Sequence, residues 1–247
     1  MSALKSLPSR LDSGQIEMLR DLLAVPHDPG RGLSPLAFNG IKNAAADLLV
    51  RQVAMPADLV QDFIAMAEDE TYDEIWRDYC LQMLPACHER LMERNDPGSA
   101  DARGSALDAL RRASSTRLHT WAGTALLGLD AASRLDPAAV SPGEVVARSV
   151  AMASDYLNSE AARITALRVA GLHRAPEARA VAWELAQAAD SELLRAAAIA
   201  TLGDVGGEAA EELLRTLAGG ADAVQARIAA NALGALVSAQ DAEGRGF

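Results

Sequence analysis

The stretch DSELLRAAAIATLGD, Asp190 to Asp204, places a single arginine, Arg195, near the start of a long run of alanine, leucine and isoleucine. The same pattern recurs in NSEAARITALRVAGL, residues 158–172, and in ADAVQARIAANALGAL, residues 221–236. The positions of the arginines differ by 32 in both steps, 195 − 163 and 227 − 195. The glycines that close the three runs are spaced 32 and then 31 residues apart: Gly171, Gly203 and Gly234. A period of this length predicts a repeated structural unit.

The segments between these runs also follow a helical pattern. In GGEAAEELLRTLAGG, residues 206–220, four apolar residues fall at positions i, i+3, i+4 and i+7, on one face of a helix: Ala210, Leu213, Leu214 and Leu217. Each unit is therefore a helix, a short turn and a second helix. One such hairpin cannot cover its own apolar stripe, so the units have to stack on one another. The sequence predicts an all-α solenoid.

The unit has a recognisable consensus, with a polar or acidic start, an arginine, and alanine-rich turns that close on Leu-Gly or Ala-Gly. This consensus resembles the HEAT-like repeats of armadillo-type helical proteins, most strongly over residues 158–239. The resemblance implies one domain over residues 1–247, folded as a right-handed α-α superhelix of about a dozen helices. Residues 14–157 would form divergent N-terminal hairpins, and residues 240–247 a frayed tail.

A fourth arginine extends the series upstream. In TYDEIWRDYCLQMLP, residues 71–85, Arg77 precedes Leu84 by seven residues, as Arg195 precedes Leu202. The resemblance implies that these arginines form a structural ladder in which each guanidinium pairs with an acid of a neighbouring unit, because an unpaired buried cation is costly. The predicted ladder residues are Arg77, Arg163, Arg195 and Arg227. Their candidate partners near the turns are Glu160, Asp190, Glu192, Asp204 and Asp222.

The composition narrows the class of partner. Half of the residues are hydrophobic, only 4% are aromatic, and the net charge is −11. Nucleic-acid binding needs clustered lysine and arginine, so we expect no nucleic-acid partner. No apolar run approaches the roughly 20 residues of a membrane span. The N-terminus lacks the apolar segment of a signal peptide, so we expect a soluble, cytoplasmic protein unless a leader has been removed.

Residues of catalytic or metal-binding type are few. No phosphate-binding loop, dinucleotide fingerprint or nucleophile elbow is present. Cys80, Cys87 and His88 form the one cluster with metal-ligand residue types, whereas a closed zinc site needs four ligands. The four histidines are scattered: His27, His88, His119 and His173. We therefore expect two buried free thiols, no catalytic residue, no metal and no cofactor.

An acidic stretch, EDETYDEIWRD, covers residues 68–78. It could contact a basic partner or bind calcium loosely. We favour a solvated turn between helices, whose acids stabilise the positive N-terminus of the next helix.

Trp183 is the aromatic residue best placed to contact a partner. In HEAT-like repeats the second helix of each unit lines the concave face, and Trp183 lies on such a helix, whereas Trp76 and Trp121 are expected in the core. The predicted partner-binding residues are Arg179, Trp183, Glu184, Glu211 and Glu212.

Three functions are consistent with this sequence. The first is a non-catalytic HEAT-repeat scaffold that binds another protein through its concave surface. The second is a HEAT-like enzyme, or a lyase or chaperone that acts on a bound cofactor or modified substrate. The third is a structural subunit of a larger complex. The clear repeat and the lack of a catalytic constellation favour the scaffold.

Overall fold

The regular structure of this chain is helical. The computed structural model describes residues 10–28, 30, 32–94, 96–117 and 121–244. These residues contain no β-strand, one short 3₁₀ turn at Pro176–Ala178, and twelve α-helices. The helices are α1 (Ser13–Leu23), α2 (Pro35–Val50), α3 (Leu59–Glu68), α4 (Glu74–Met92), α5 (Pro97–Ala113), α6 (Trp121–Leu135), α7 (Pro142–Ser154), α8 (Glu160–Leu172), α9 (Arg179–Ala188), α10 (Glu192–Val205), α11 (Glu208–Ala218) and α12 (Ala223–Gly244). The prediction of an all-α protein is confirmed, and the last three residues of the predicted tail lie outside the described residues.

Short polar residues set the starts of several helices. The Ser141 hydroxyl accepts a hydrogen bond from Glu144 N at 3.1 Å, and Pro142 follows as the first residue of α7. This is the preferred use of serine as an N-cap and of proline in the first turn. After α10 the chain reverses at Gly206 and Gly207, whose φ angles of 64° and 104° favour glycine. The turn between these two helices therefore falls at a pair of glycines.

The helices cluster into two compact units, unit 1 (Met1–Ala113) and unit 2 (Ser114–Phe247). In unit 1, α2 packs against α4 and α3 packs against α5, while α1 packs against α2. Large side chains fill this core, among them the fully buried Phe63, Trp76, Leu84 and Leu91. The right-handed superhelix and the single continuous domain stay predictions.

Unit 2 repeats one helical register three times. Helix α8 packs against α10 and α10 against α12, while α7, α9 and α11 each pack against the helix that follows them. The helices begin after equivalent capping residues: Ser159, Ser191 and Asp222. The seventh residue after each cap is a fully buried alanine: Ala166, Ala198 and Ala229. The repeat seen in the sequence is therefore a repeat of packing positions in space.

The glycines at the ends of these runs allow close helix packing. Gly171 and Gly203 lie inside α8 and α10, which continue to Leu172 and Val205, although the sequence suggests that they end their helices. A Cβ atom on Gly203 would lie 2.7 Å from the carbonyl oxygen of Ala232 in α12. Helix α12 comes so close to α10 at this position that no side chain fits.

Candidate functional site

Three of the four ladder arginines donate to backbone carbonyl oxygens. The three contacts run from guanidinium Nε to a carbonyl at the C-terminal end of the preceding helix: Arg77 to Ala67 at 2.9 Å, Arg163 to Ala153 at 3.0 Å and Arg195 to Ala189 at 3.2 Å. The last four carbonyls of a helix lack partners within the helix, and a cation is favoured at its negative end. Arg163 and Arg195 therefore tie one helix to the next through the backbone, where the sequence suggests an acid.

Arg227 lies outside this arrangement. Arg163 and Arg195 stand four residues after their caps, Ser159 and Ser191, whereas Arg227 stands five residues after Asp222. One residue turns the side chain by about 100° around the helix. Arg227 is accordingly exposed, although its spacing in the sequence matches the other two.

The predicted partner-binding residues lie on α9 and α11, and two of them serve the fold. Arg179 donates to the carbonyl oxygens of Gly206 at 2.8 Å and Val205 at 3.3 Å, at the end of α10. Glu211 forms an ion pair with Arg215 on its own helix. Trp183 is half-buried, and the exposed side chains are Glu184 and Glu212. Within the predicted set these two acids are therefore the most exposed, while Arg179, Trp183 and Glu211 are each partly buried.

Both cysteines are free and buried in α4, as expected. Helix α4 continues through Pro85, so the two thiols stay about two turns apart on one helix. Burial raises the pKa of Cys87 to about 12 and raises that of Cys80 further, so both thiols are unreactive at neutral pH. Within the described residues, no three His, Cys, Asp or Glu side chains come close enough to hold a metal ion, and His119 lies outside them.

A buried carboxylate links two helices of unit 2. His173 Nε2 lies 2.7 Å from Asp130 Oδ1, and Arg134 pairs with the other oxygen of the same carboxylate. Asp130 is almost fully buried and belongs to α6, whereas His173 caps the end of α8. The pair satisfies a buried charge and joins these two packed helices.

The acidic stretch between α3 and α4 works as a capped turn. Asp73 Oδ1 accepts hydrogen bonds from Ile75 N and Trp76 N, both at 3.1 Å. The same carboxylate receives the amide of Asn39 on α2, at 2.8 and 3.0 Å. Asp73 therefore fixes the start of α4 against α2, in agreement with the expected role at a helix N-terminus.

A groove of about 690 Å³ runs between α1 and α3 in unit 1. Its floor is apolar and is formed by the buried side chains of Leu23, Met66 and Tyr72. Ile16 and the exposed Ala65 form its walls. The residues contributed by α1 recur every three or four positions, so one face of α1 looks into the groove. This volume falls in the range of about 300–1,000 Å³ that is typical of ligand sites.

The rim of this groove is acidic. Arg20 on α1 reaches across to Asp62 on α3 at 2.7 Å and to Asp58 at 3.0 Å. The hydrogen bond with Asp62 raises the pKa of Arg20, and both carboxylates compensate its charge. Glu17 and Asp21 also line the groove and are exposed. The rim therefore carries three carboxylates, Glu17, Asp21 and Asp62, against one guanidinium that is already paired, which leaves it negative.

A buried lysine lies directly behind the groove floor. Lys42 on α2 has no exposed surface, and its Nζ donates to Val25 O at 3.0 Å. Three aromatic rings enclose the ammonium group, with their centroids at 4.2 Å for Trp76, 4.7 Å for Tyr72 and 5.5 Å for Phe38. Burial lowers the pKa of Lys42 from 10.5 to about 8.

Sequence reasoning does not find this lysine. The one available signal is spacing, since Phe38 and Lys42 are i, i+4 on α2, and Tyr72, just before α4, is four residues from Trp76 in its first turn. Taken alone, each pair has the spacing of ordinary packing along one stretch of chain and does not indicate a special site. Their meeting depends on how α2 packs against α4, which neither local pattern contains.

Comparison with known proteins adds no identity to this description. No protein-family model matches the chain, and no curated protein matches its sequence. In the part of the chain that the structure describes, none of the helices has the length and apolar character needed to cross a membrane. The class is therefore defined by the fold and the groove: an all-α protein with a repeated helical register and an acid-rimmed apolar groove.

Proposed function

We propose that the protein is a non-catalytic HEAT-like scaffold that binds a segment of another protein in the groove between α1 and α3. The observation that carries this proposal is the combination of an apolar floor with an acidic rim. The segment that fits is an amphipathic helix with leucine-like residues on one face and lysine or arginine on the other. Laying an apolar helix face into a groove is a common mode of peptide recognition.

Charge supports this choice of partner. The rim carries Glu17, Asp21 and Asp62, and its single cation, Arg20, is already paired. A basic polar face would meet the exposed carboxylates of Glu17 and Asp21 on the α1 wall, which speeds association and disfavours acidic competitors. The chain as a whole carries −11, which extends the same preference over long range and is consistent with the expectation of no nucleic-acid partner.

The repeated register of unit 2 supports the HEAT-like part of the proposal. Equivalent caps and buried alanines recur along α8, α10 and α12, and arginines that reach back to the preceding helix recur on α8 and α10. Stacked hairpins of this kind are rigid supports that present extended surfaces. A right-handed superhelix is the arrangement that we infer for them.

A model peptide tests the groove. The probe is a fluorescein-labelled helix of about 18 residues, five turns, with leucine on one face and lysine on the other. A peptide with glutamate in place of lysine tests the charge preference. Binding is measured by fluorescence anisotropy at fixed salt. The leucine–lysine peptide is expected to bind and the leucine–glutamate peptide to bind at least about tenfold more weakly, a difference of about 1.4 kcal/mol.

Two matched variants, in each of which one alanine is replaced by arginine, locate the binding site. Ala65→Arg places a bulky cation in the groove, and Ala161→Arg places the same side chain on the exposed surface of α8 in unit 2. Only Ala65→Arg is expected to weaken peptide binding, by about tenfold or more, with both variants folded by circular dichroism. Equal effects of the two variants, or no binding of the leucine–lysine peptide to the wild type, would contradict the proposal.

A further inference from the structure

Two side chains from other parts of unit 1 hold the C-terminal end of α1. Lys42 Nζ donates to Val25 O at 3.0 Å, and the Tyr72 hydroxyl donates to Ala24 O at 2.8 Å. These carbonyls belong to the end of a helix, where the backbone offers no partner of its own. Ala24 lines the groove, and Tyr72 forms part of its floor. These two hydrogen bonds therefore anchor the α1 wall of the groove at its C-terminal end.

The surroundings of Lys42 leave it few ways to satisfy its charge. The side chain is completely buried, so water does not solvate the ammonium group. On the α4 side it faces Tyr72, Asp73, Trp76 and Cys80, of which Asp73 supplies a negative charge. On α2 it faces the ring of its neighbour Phe38, and from α1 it receives the Val25 carbonyl. Ring faces and a carbonyl replace the lost hydration.

We propose that Lys42 is the positioning residue of the groove: its ammonium group holds the end of α1 against α2 and α4 and so sets the separation of the two groove walls. This inference rests on the proposed function only in taking the groove as the binding site. Methionine in place of Lys42 would fill nearly the same volume and leave Val25 O without its donor. The last turn of α1 would then open while the rest of unit 1 stays packed.

Hydrogen exchange followed by mass spectrometry measures this opening directly. In Lys42→Met, amides of residues 13–25 are expected to exchange at least about tenfold faster at pH 7, with α4 unchanged. Arg51→Met is the matched control, because Arg51 is an exposed cation at the C-terminal cap of the same helix and forms an ion pair with Asp47, one turn earlier. Tyr72→Phe removes the second anchor with little change of shape, and a smaller increase over the same residues is expected.

A pH series separates positioning from simple packing. Opening exposes Lys42 to water, where its pKa returns from about 8 toward 10.5, so opening takes up a proton. The opening constant of α1 in the wild type should therefore fall about tenfold from pH 7 to pH 9, after correction for intrinsic exchange. Burial raises the pKa of Tyr72 and of Cys80, so neither of these neighbours titrates in this window. Lys42→Met should show no such slope.

The leucine–lysine peptide links the anchor to binding. Its affinity should fall at least about fivefold in Lys42→Met and stay unchanged in Arg51→Met. If the peptide binds the wild type but Lys42→Met changes neither its affinity nor the exchange of residues 13–25, the positioning role is wrong. If the exchange and its pH slope respond as expected but no peptide binds the wild type, the positioning role stands and the proposed binding function is wrong. Should Lys42→Met fail to fold, unchanged exchange in Tyr72→Phe together with a flat pH series in the wild type would overturn the positioning role.

Discussion

Unit 1 and unit 2 solve the same packing problem with different residues. Unit 2 stacks alanine-rich helices in a constant register, with buried alanines at equivalent positions and a glycine where α10 meets α12. In unit 1 bulky side chains separate the helices, and five of the nine aromatic residues lie between residues 38 and 79: Phe38, Phe63, Tyr72, Trp76 and Tyr79. Unequal side chains leave unequal gaps, and both the groove and the enclosed lysine occur in unit 1. The regular repeat of unit 2 makes the fold class recognisable, whereas the less regular unit 1 contains the candidate site.

The largest effect is expected where unit 2 is tightest. Gly203→Ala should lower the free energy of unfolding by about 2–3 kcal/mol, because the new Cβ would meet the backbone of Ala232. Gly234→Ala is the matched control, since no atom lies within 4 Å of a Cβ built there. That substitution should stabilise the helix by about 0.5–1 kcal/mol. Urea unfolding measures both, and the same sign for both would show that close approach is not what requires glycine.

The second-largest effect is expected from the loss of an arginine that joins two helices. Arg163→Met should cost about 1–2 kcal/mol, because the carbonyl of Ala153 loses its donor. Arg227→Met should change stability by less than about 0.5 kcal/mol, since this arginine is exposed and out of register. Equal losses in the two variants would mean that sequence spacing, not position after the cap, decides the role of these arginines.

The buried lysine of unit 1 predicts a stability that depends on pH. The pKa of Lys42 is about 8 in the folded state and 10.5 when it is free, so the unfolded state binds more protons between these values. Stability contributed by this group therefore rises with pH through this window, and the cost of burying the charge is fully present below pH 8. From pH 7 to pH 9, wild type should gain about 1.4 kcal/mol relative to Lys42→Met. A constant difference between the two unfolding curves would refute a titrating Lys42.

The smallest effect is expected on the face of unit 2 that the sequence favours for binding. Glu184 and Glu212 are exposed, and the double variant Glu184→Ala, Glu212→Ala should change affinity for the leucine–lysine peptide by less than about twofold. Anisotropy titrations at two salt concentrations measure this. A loss larger than that of Ala65→Arg would move the binding site from unit 1 to unit 2.

Local sequence patterns predict most of the helices and several of the turns. The spacing of apolar residues places the helices, the prolines and glycines place several turns, and the buried alanines follow from the repeat. Gly171 and Gly203 show the limit of such reasoning, because a glycine near the end of an apolar run reads as a stop. Only the approach of α12 to α10 shows that Gly203 is needed for contact between helices.

The sequence by itself determined the all-α class, the repeated register of unit 2 and the two buried thiols. The helices and the thiols follow from local patterns, and the register follows from a repeat spacing that is visible along the chain. The tertiary structure alone decided that Lys42 meets Trp76, that Arg20 reaches Asp62, and that Arg163 and Arg195 bind backbone oxygens. The first two of these contacts join residues more than thirty positions apart, and all four depend on how whole helices pack. Helix periodicity specifies which face of a helix is buried, but the partner of that face is set by the packing of the complete unit.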